Sequence, residues 1–128
     1  MKHIAIKENH LYSKAYAKGQ KFVTRDLVVY ILKDLRSEKL MKANPMKEYV
    51  NRIGLTVSKK LGGAVVRNRV KRILREGLRQ AEQKSDLKKG YLIVLVARAS
   101  ATDAKSDQIK RQLTKAFRSL NMIEENKQ

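Results

Sequence analysis

Cysteine and tryptophan are absent from this chain, and proline occurs once, at Pro45. Without cysteine there is no disulfide framework, no thiolate nucleophile and no cysteine-based zinc site. Nor does any apolar run approach the roughly 20 residues that span a bilayer. The start, MKHIAIKENH, lacks the apolar core of a secretory leader. These absences set the expectation of a cytoplasmic, soluble chain. A membrane-surface helix would want Trp or Phe on its apolar face, and two Phe are all there is, so no membrane partner is expected.

The pieces of an active site are also missing. His3 and His10 stand in no metal spacing, and Asp103 with Asp107 suits the start of a helix better than an acid–base pair. Gly62-Gly63 lacks the Gly-Lys-Ser/Thr ending of a phosphate loop. Nothing joins a nucleophile to a base or gathers carboxylates for two metals. No catalytic residue and no protein-bound metal is expected.

Negative charge is scarce as well. Thirty Lys and Arg stand against twelve Asp and Glu in 128 residues, for a net charge of +18. One-signed charge at this density repels itself unless an anion neutralises it. The composition points to a nucleic-acid partner. The length suits one compact domain, residues 1–128. Its ordered core is expected over about 9–121, with a polar connection at 37–51 around Pro45 and a frayed tail at 122–128.

Apolar periodicity supplies the elements. A short helix is expected over Asn9–Ala17, with Asn9 as N-cap, Gly19 as stop, and Leu11, Tyr12, Ala15 and Tyr16 on one face. Leu27–Leu32 reads as a buried strand, with Phe22 and Val23 in a preceding strand or edge. Arg52–Ser58 alternates, placing Ile53, Leu55 and Val57 on a buried face and Arg52, Gly54, Thr56 and Ser58 on the other. After Gly62-Gly63 comes a basic helix over Ala64–Gln83, then an interior strand over Tyr91–Ala97. The last helix starts near Ser106 as N-cap, with Ile109, Leu113, Ala116, Phe117 and Leu120 as its apolar face. The order is helix, strands, helix, strand, helix. Its fold class is α+β, a small mixed sheet packed with three helices, and the unit from Arg52 to Ala97 is long enough for a parallel βαβ crossover.

Between Lys59 and Arg79 lie eight basic residues and one acid, Glu76. Setting Val66 at zero and advancing 100° per residue, Val70, Ile73, Leu74, Gly77 and Ala81 form a core-facing stripe. Arg67 falls at about 100°, Lys71 at about 140°, Arg75 at about 180°, Asn68 at about 200°, Arg79 at about 220°, Arg72 at about 240° and Arg69 at about 300°. Positive groups therefore cover the exposed face. A helix kept for solubility interleaves Glu with Lys, and only Glu76 and Glu82 are available here. Arg exceeds Lys five to one over Arg67–Arg79, as suits bidentate phosphate contact. Lys59, Lys60 and the free amides after Gly62-Gly63 converge where the helix dipole favours anions. Tyr12 and Tyr16, four apart, and Tyr30 in its strand suit either packing or stacking on unpaired bases; spacing leaves both open.

The order of residues narrows this further. VSKKLGGAVVRNRVKRILRE, Val57 to Glu76, closely resembles the signature of the bacterial ribonuclease P protein subunit. Its core is an Arg-Asn-Arg triplet (Arg67, Asn68, Arg69) followed by Lys71-Arg72 and Arg75. The aromatics of the first helix, Lys18-Gly19, the strand holding Tyr30 and the closing amphipathic helix follow in the family's order. The resemblance implies a ribosomal protein S5 domain 2-like fold with a left-handed βαβ crossover. It implies a protein cofactor of a catalytic RNA that, using Mg²⁺, removes the 5′ leader of precursor tRNA, with one protein per RNA. Arg67 and Arg69 with Lys59 and Lys60 would face the catalytic RNA, and Arg79 would be a further RNA-binding residue. Tyr12, Tyr16, Tyr30, Asn68, Lys71, Arg72 and Arg75 would line a leader cleft between the basic helix and the sheet. Two departures stand out. Gly63 occupies a position where the family often has Asn, and the 37–51 connection is longer than in many members. A ribosomal-protein-like RNA binder without a processing role is the alternative.

Overall fold

In the computed structural model, which describes residues 4–36 and 51–123, the chain runs β1 (Ile4–Ala5), α1 (Asn9–Lys18), β2 (Gln20–Val23), β3 (Leu27–Lys33), β4 (Arg52–Thr56), α2 (Ala64–Lys84), β5 (Tyr91–Ala97) and α3 (Ser106–Ser119). Short 3-10 helices precede α2 at Lys59–Leu61 and α3 at Ala99–Asp103. The strands form one mixed sheet in the order β1-β4-β5-β3-β2. β5 is parallel to β4 (Ile53 opposite Ile93, Leu55 opposite Leu95) and antiparallel to β3 (Val29 opposite Leu95). The chain from β4 through α2 to β5 is thus the parallel crossover expected from its length.

Side chains alternate across the pleat, and both faces of the sheet are covered. Val29, Ile31, Ile93 and Leu95 point to one face, where they bury against Val70, Leu74 and Leu78 of α2 and Ile109, Leu113 and Phe117 of α3. Leu92 and Val94 point to the other, beneath Leu11 and Ala15 of α1. Burying each such aliphatic side chain favours the folded state by about 1.5–3 kcal/mol. Leu78 widens the core-facing stripe of α2 beyond the residues expected, while Val66 and Ile73 are only half-buried at its margin.

Two close approaches need glycine. A Cβ on Gly77 would stand 2.5 Å from Cγ2 of Ile109, so glycine lets α2 lie against α3. A Cβ on Gly19 would stand 2.5 Å from the Ala15 carbonyl and 2.6 Å from that of Ile31. Gly19 ends α1 in extended backbone (φ −76°, ψ 161°), so crowding and not a left-handed turn requires it.

Several expectations change. β1 was not foreseen; it is two residues long, too short for any periodicity, and pairs with β4. Ile6 beyond it is buried, so packing begins before Asn9. Asn9 and Ser106 are the first residues inside their helices and not the caps. Glu8 and Lys105 hold the cap positions, and the Lys105 N–H donates to Oε1 of Gln108 at 2.9 Å. Packing also continues past residue 121: Met122 is 1% exposed and Ile123 bridges to Leu87. Of the expected connection, residues 37–50 lie outside the described residues, as does the tail from 124.

Asn51 belongs to the sheet. Its side chain donates to the Lys88 carbonyl (3.0 Å) and accepts from the Tyr91 N–H (2.9 Å). Next to it, Arg52 reaches Asp34 through two bonds, Nε to Oδ2 at 2.7 Å and Nη2 to Oδ1 at 2.9 Å. Nη1 of Arg52 lies 3.6 Å from Glu8, which also accepts from Arg36 at 3.3 Å. The Asp34 hydrogen bonds push the Arg52 guanidinium above its ordinary pKa, against the effect of burial. This cluster ties the approach to α1, the end of β3 and the start of β4 into one corner.

Candidate nucleic-acid interface

The approach to α2 is shaped by its two glycines. Gly62 has φ +145° and ψ −171°, a region open essentially to glycine alone. A Cβ there would also press on Val66 at 3.0 Å. Gly63 follows as N-cap without a side chain, its carbonyl accepting from the Arg67 N–H at 3.0 Å. Just upstream, the Ser58 hydroxyl accepts from the Lys60 N–H at 3.1 Å and holds the turn on which Lys59 and Lys60 are exposed.

The arginines of the triplet are held by backbone carbonyls. Arg67 donates Nε to the Gly62 carbonyl at 3.2 Å, and Arg69 donates Nη1 to the Thr102 carbonyl at 2.5 Å. Each uses one of five donors, so most of each guanidinium fork remains available. Asn68 is exposed between them.

On one flank of α2, Lys71, Arg75, Leu78, Arg79 and Glu82 face the sheet edge across a cleft of about 430 Å³. Its opposite side is made by Ile53, Leu55, Ala5 and Ile6 with Tyr12 of α1. Tyr12 begins a row of aromatic rings: its centroid is 6.5 Å from that of Tyr16, which meets Tyr30 edge-on at 5.0 Å. The Tyr16 and Thr56 hydroxyls are 2.8 Å apart, and Tyr16 is 40% exposed. Burial, and then the neighbouring Tyr16 phenol, raise the Tyr12 pKa against a hydrogen bond from the Leu55 backbone. Tyr12 therefore stays a neutral hydroxyl at physiological pH.

Gly54 is buried directly beneath that ring, where a Cβ would stand 2.6 Å from it. Sequence alternation placed Gly54 on the open side of its strand; α1 covers that side. A glycine inside an otherwise regular strand was the available signal for such an approach.

The expected leader residues do not all gather here. Tyr12, Lys71 and Arg75 share the cleft, and Tyr16 and Tyr30 continue its aromatic row. Arg72 lies on the other flank of α2, in a groove with Arg69, Ile73, Glu76 and the Ala104–Ser106 stretch. Arg79 reaches the cleft as an ion pair, Nε and Nη2 bonding Glu76 at 3.0 and 2.5 Å, with Gln80 adding a third bond to Glu76 at 3.0 Å. These bonds, Arg79 first, lower the Glu76 carboxyl to about 2. Sequence reasoning counted Arg79 among the RNA-binding cations; its (i,i+3) spacing to Glu76 was the signal for a pair. Lys105 was missed because its proximity to α2 arises only from helix packing.

A family model described as Ribonuclease P matches residues 1–121. The chain belongs to the ribonuclease P protein family. The ribonuclease P protein component of Clostridium acetobutylicum is 34% identical over 123 residues, which cover 96% of this chain and 93% of that protein. That of Bacillus velezensis is 31% identical over 121 residues, covering 94% and 92%. Among solved structures, the Staphylococcus aureus RNase P protein superposes with a TM-score of 0.73 at 30% identity, covering 96% of this chain and all of that one. The Thermotoga maritima RNase P protein, 20% identical with a TM-score of 0.63, shares the fold, covering 90% of this chain and 94% of its own. Membership makes the chain a protein cofactor in tRNA 5′ processing and a subunit of an endoribonuclease holoenzyme. Among the described residues, no helix is long and apolar enough to cross a membrane.

Proposed function

We propose that the chain docks on the catalytic RNA of ribonuclease P through the start of α2 and holds the single-stranded 5′ leader of precursor tRNA in the cleft beside Tyr12. The observation that carries this reading is the meeting of an aromatic ring with Lys71 and Arg75 in one open cleft. A flexible single strand needs a π-face for its bases and cations for its phosphates, and stacking is worth about 1–3 kcal/mol per base without demanding a sequence. Arg67, Arg69, Lys59 and Lys60 present charge to the catalytic RNA, at a helix start where the dipole favours phosphate.

The reading carries a division of labour. Hydrolysis belongs to the RNA and the Mg²⁺ it binds, one protein serving one RNA. The protein neutralises phosphates and prefers the substrate, which has a leader, over the product, which has lost it. Reconstitution with the cognate catalytic RNA at low Mg²⁺ is the test. The chain should accelerate leader removal, and absence of stimulation would sink the reading. Crosslinking followed by RNA sequencing should recover the catalytic RNA and precursor tRNA; ribosomal RNA as the main product would favour a ribosomal-type binder instead.

A further inference from the structure

We propose that the groove between α2 and the start of α3, edged by Arg69, Arg72 and Lys105, takes the sugar–phosphate backbone of the catalytic RNA. The inference deepens the function proposed above and rests on it. It moves Arg72 from the leader to the docking RNA and adds Lys105, which no motif marks.

Geometry makes the separation. The tyrosine cleft takes Lys71, Arg75 and Arg79 from α2; the groove, of about 420 Å³, takes Arg69 and Arg72 and shares no residue with it. On the helical wheel the two sets part at about 230°, between Arg79 and Arg72.

The chemistry of the linings differs too. The groove carries three cations, Arg69, Arg72 and Lys105, over a largely apolar floor that includes Ile73 and Ala104. It has no aromatic ring, so an unpaired base gains no stacking there. Its one lining acid, Glu76, is committed to Arg79 and Gln80, which keeps the groove positive. Asp107 nearby pairs with Arg111 at 3.5 Å, and Asp103, exposed on the adjoining turn, lies outside the lining.

Rigidity points the same way. Arg69 is fixed to the Thr102 carbonyl, the Lys105 N–H to Gln108, and the two helices are locked where Gly77 meets Ile109. Of the three cations the Arg69 guanidinium is itself pinned, while Arg72 and Lys105 project from backbone held in a fixed frame. A folded RNA, whose phosphates are at set spacings, suits such a frame, and preorganisation reduces the entropy lost on binding. A leader strand, free to adjust, needs no such frame.

Charge reversal separates the flanks. Arg72→Glu and Lys105→Glu are compared with Arg75→Glu, and Lys105→Gln removes the exposed charge with no demand on the fold. Thermal melts establish that each variant is folded. Two quantities are read: the Kd for the cognate catalytic RNA alone across a salt series, and the holoenzyme's preference for leader-bearing precursor over mature tRNA. The Arg72 and Lys105 reversals should weaken catalytic-RNA binding about tenfold. Their salt slope should fall by about 1 per lost phosphate contact, with leader preference unchanged. Arg75→Glu should chiefly lower leader preference. Reduced leader preference in the Arg72 or Lys105 variants, or unchanged RNA affinity and slope, would overturn the assignment. A wild-type chain that neither binds the catalytic RNA nor prefers the leader would overturn the underlying function as well.

Discussion

The ring of Tyr12 lies on the α-carbon of Gly54, so close that a Cβ at residue 54 would stand 2.6 Å from its Cε1 and Oη. The depth of the cleft on the sheet side is set by this missing side chain.

Gly54→Ala should lift the ring out of place. The atoms in conflict are the far end of a flexible side chain, so the fold yields locally and stability should change by about 1 kcal/mol or less. Affinity for leader-bearing precursor tRNA should fall by up to the value of one stacked base, about 1–3 kcal/mol. Mature tRNA and the catalytic RNA should bind as before. Parallel equilibrium titrations of the three RNAs make the check; equal losses on all three would assign Tyr12 to packing.

Asp34→Ala leaves Arg52 without its bidentate partner. Asp34 is 3% and Arg52 14% exposed, and removing one member of a buried pair costs about 3–5 kcal/mol. Glu8 remains near Arg52 at 3.6 Å, so the lower end of that range is expected. Urea unfolding should show a lower midpoint with an unchanged m-value.

Gly77→Ala sets two effects against each other. Helix propensity alone favours alanine by about 1 kcal/mol. The new Cβ, however, would sit 2.5 Å from Cγ2 of Ile109 and 3.2 Å from the Lys110 nitrogen, and overpacking a core costs about 1–3 kcal/mol. Ile109 is fully buried and cannot swing aside. Net destabilisation is expected, and a raised melting temperature would show that the helices can separate cheaply.

Glu76→Gln releases Arg79. The carboxyl is lowered to about 2 by Arg79 and then Gln80. The pair's contribution is therefore fully present above the ordinary carboxyl range and is lost progressively as pH falls from there through about 2. Near neutrality the substitution, unlike a pH change, frees the Arg79 guanidinium for phosphate. Binding of single-stranded RNA should tighten at low salt, with the log–log salt slope steeper by about 0.7. An unchanged slope would mean that Arg79 faces no RNA.

Much of this architecture was legible in the sequence because its signals are local. Alternation located β4, β5 is coextensive with its run of seven apolar residues, and Gly62-Gly63 marked the start of α2. What escaped depends on pairings between distant residues. β1 has two residues and exists because β4 offers an edge to pair with. Asp34 and Arg52 are 18 positions apart, and nothing in either neighbourhood announces the other. For the site, the wheel gives the angular order of the cations around α2, but where one flank ends depends on what packs beside the helix. The resemblance grouped Arg72 with Lys71 and Arg75, whereas α3 gives it a different groove.

The corner built by Glu8, Arg36, Asp34, Arg52 and Asn51 carries a consequence for engineering. Both ends of the 37–50 stretch are fastened to the body of the protein, Arg36 through Glu8 and Asn51 through Lys88 and Tyr91. Lengthening a segment whose ends are already fixed adds only about 0.6 kcal/mol of closure entropy per doubling. An affinity handle inserted between residues 37 and 50 should therefore leave β3 and β4 in place on either side of β5, which an unchanged melting temperature would show.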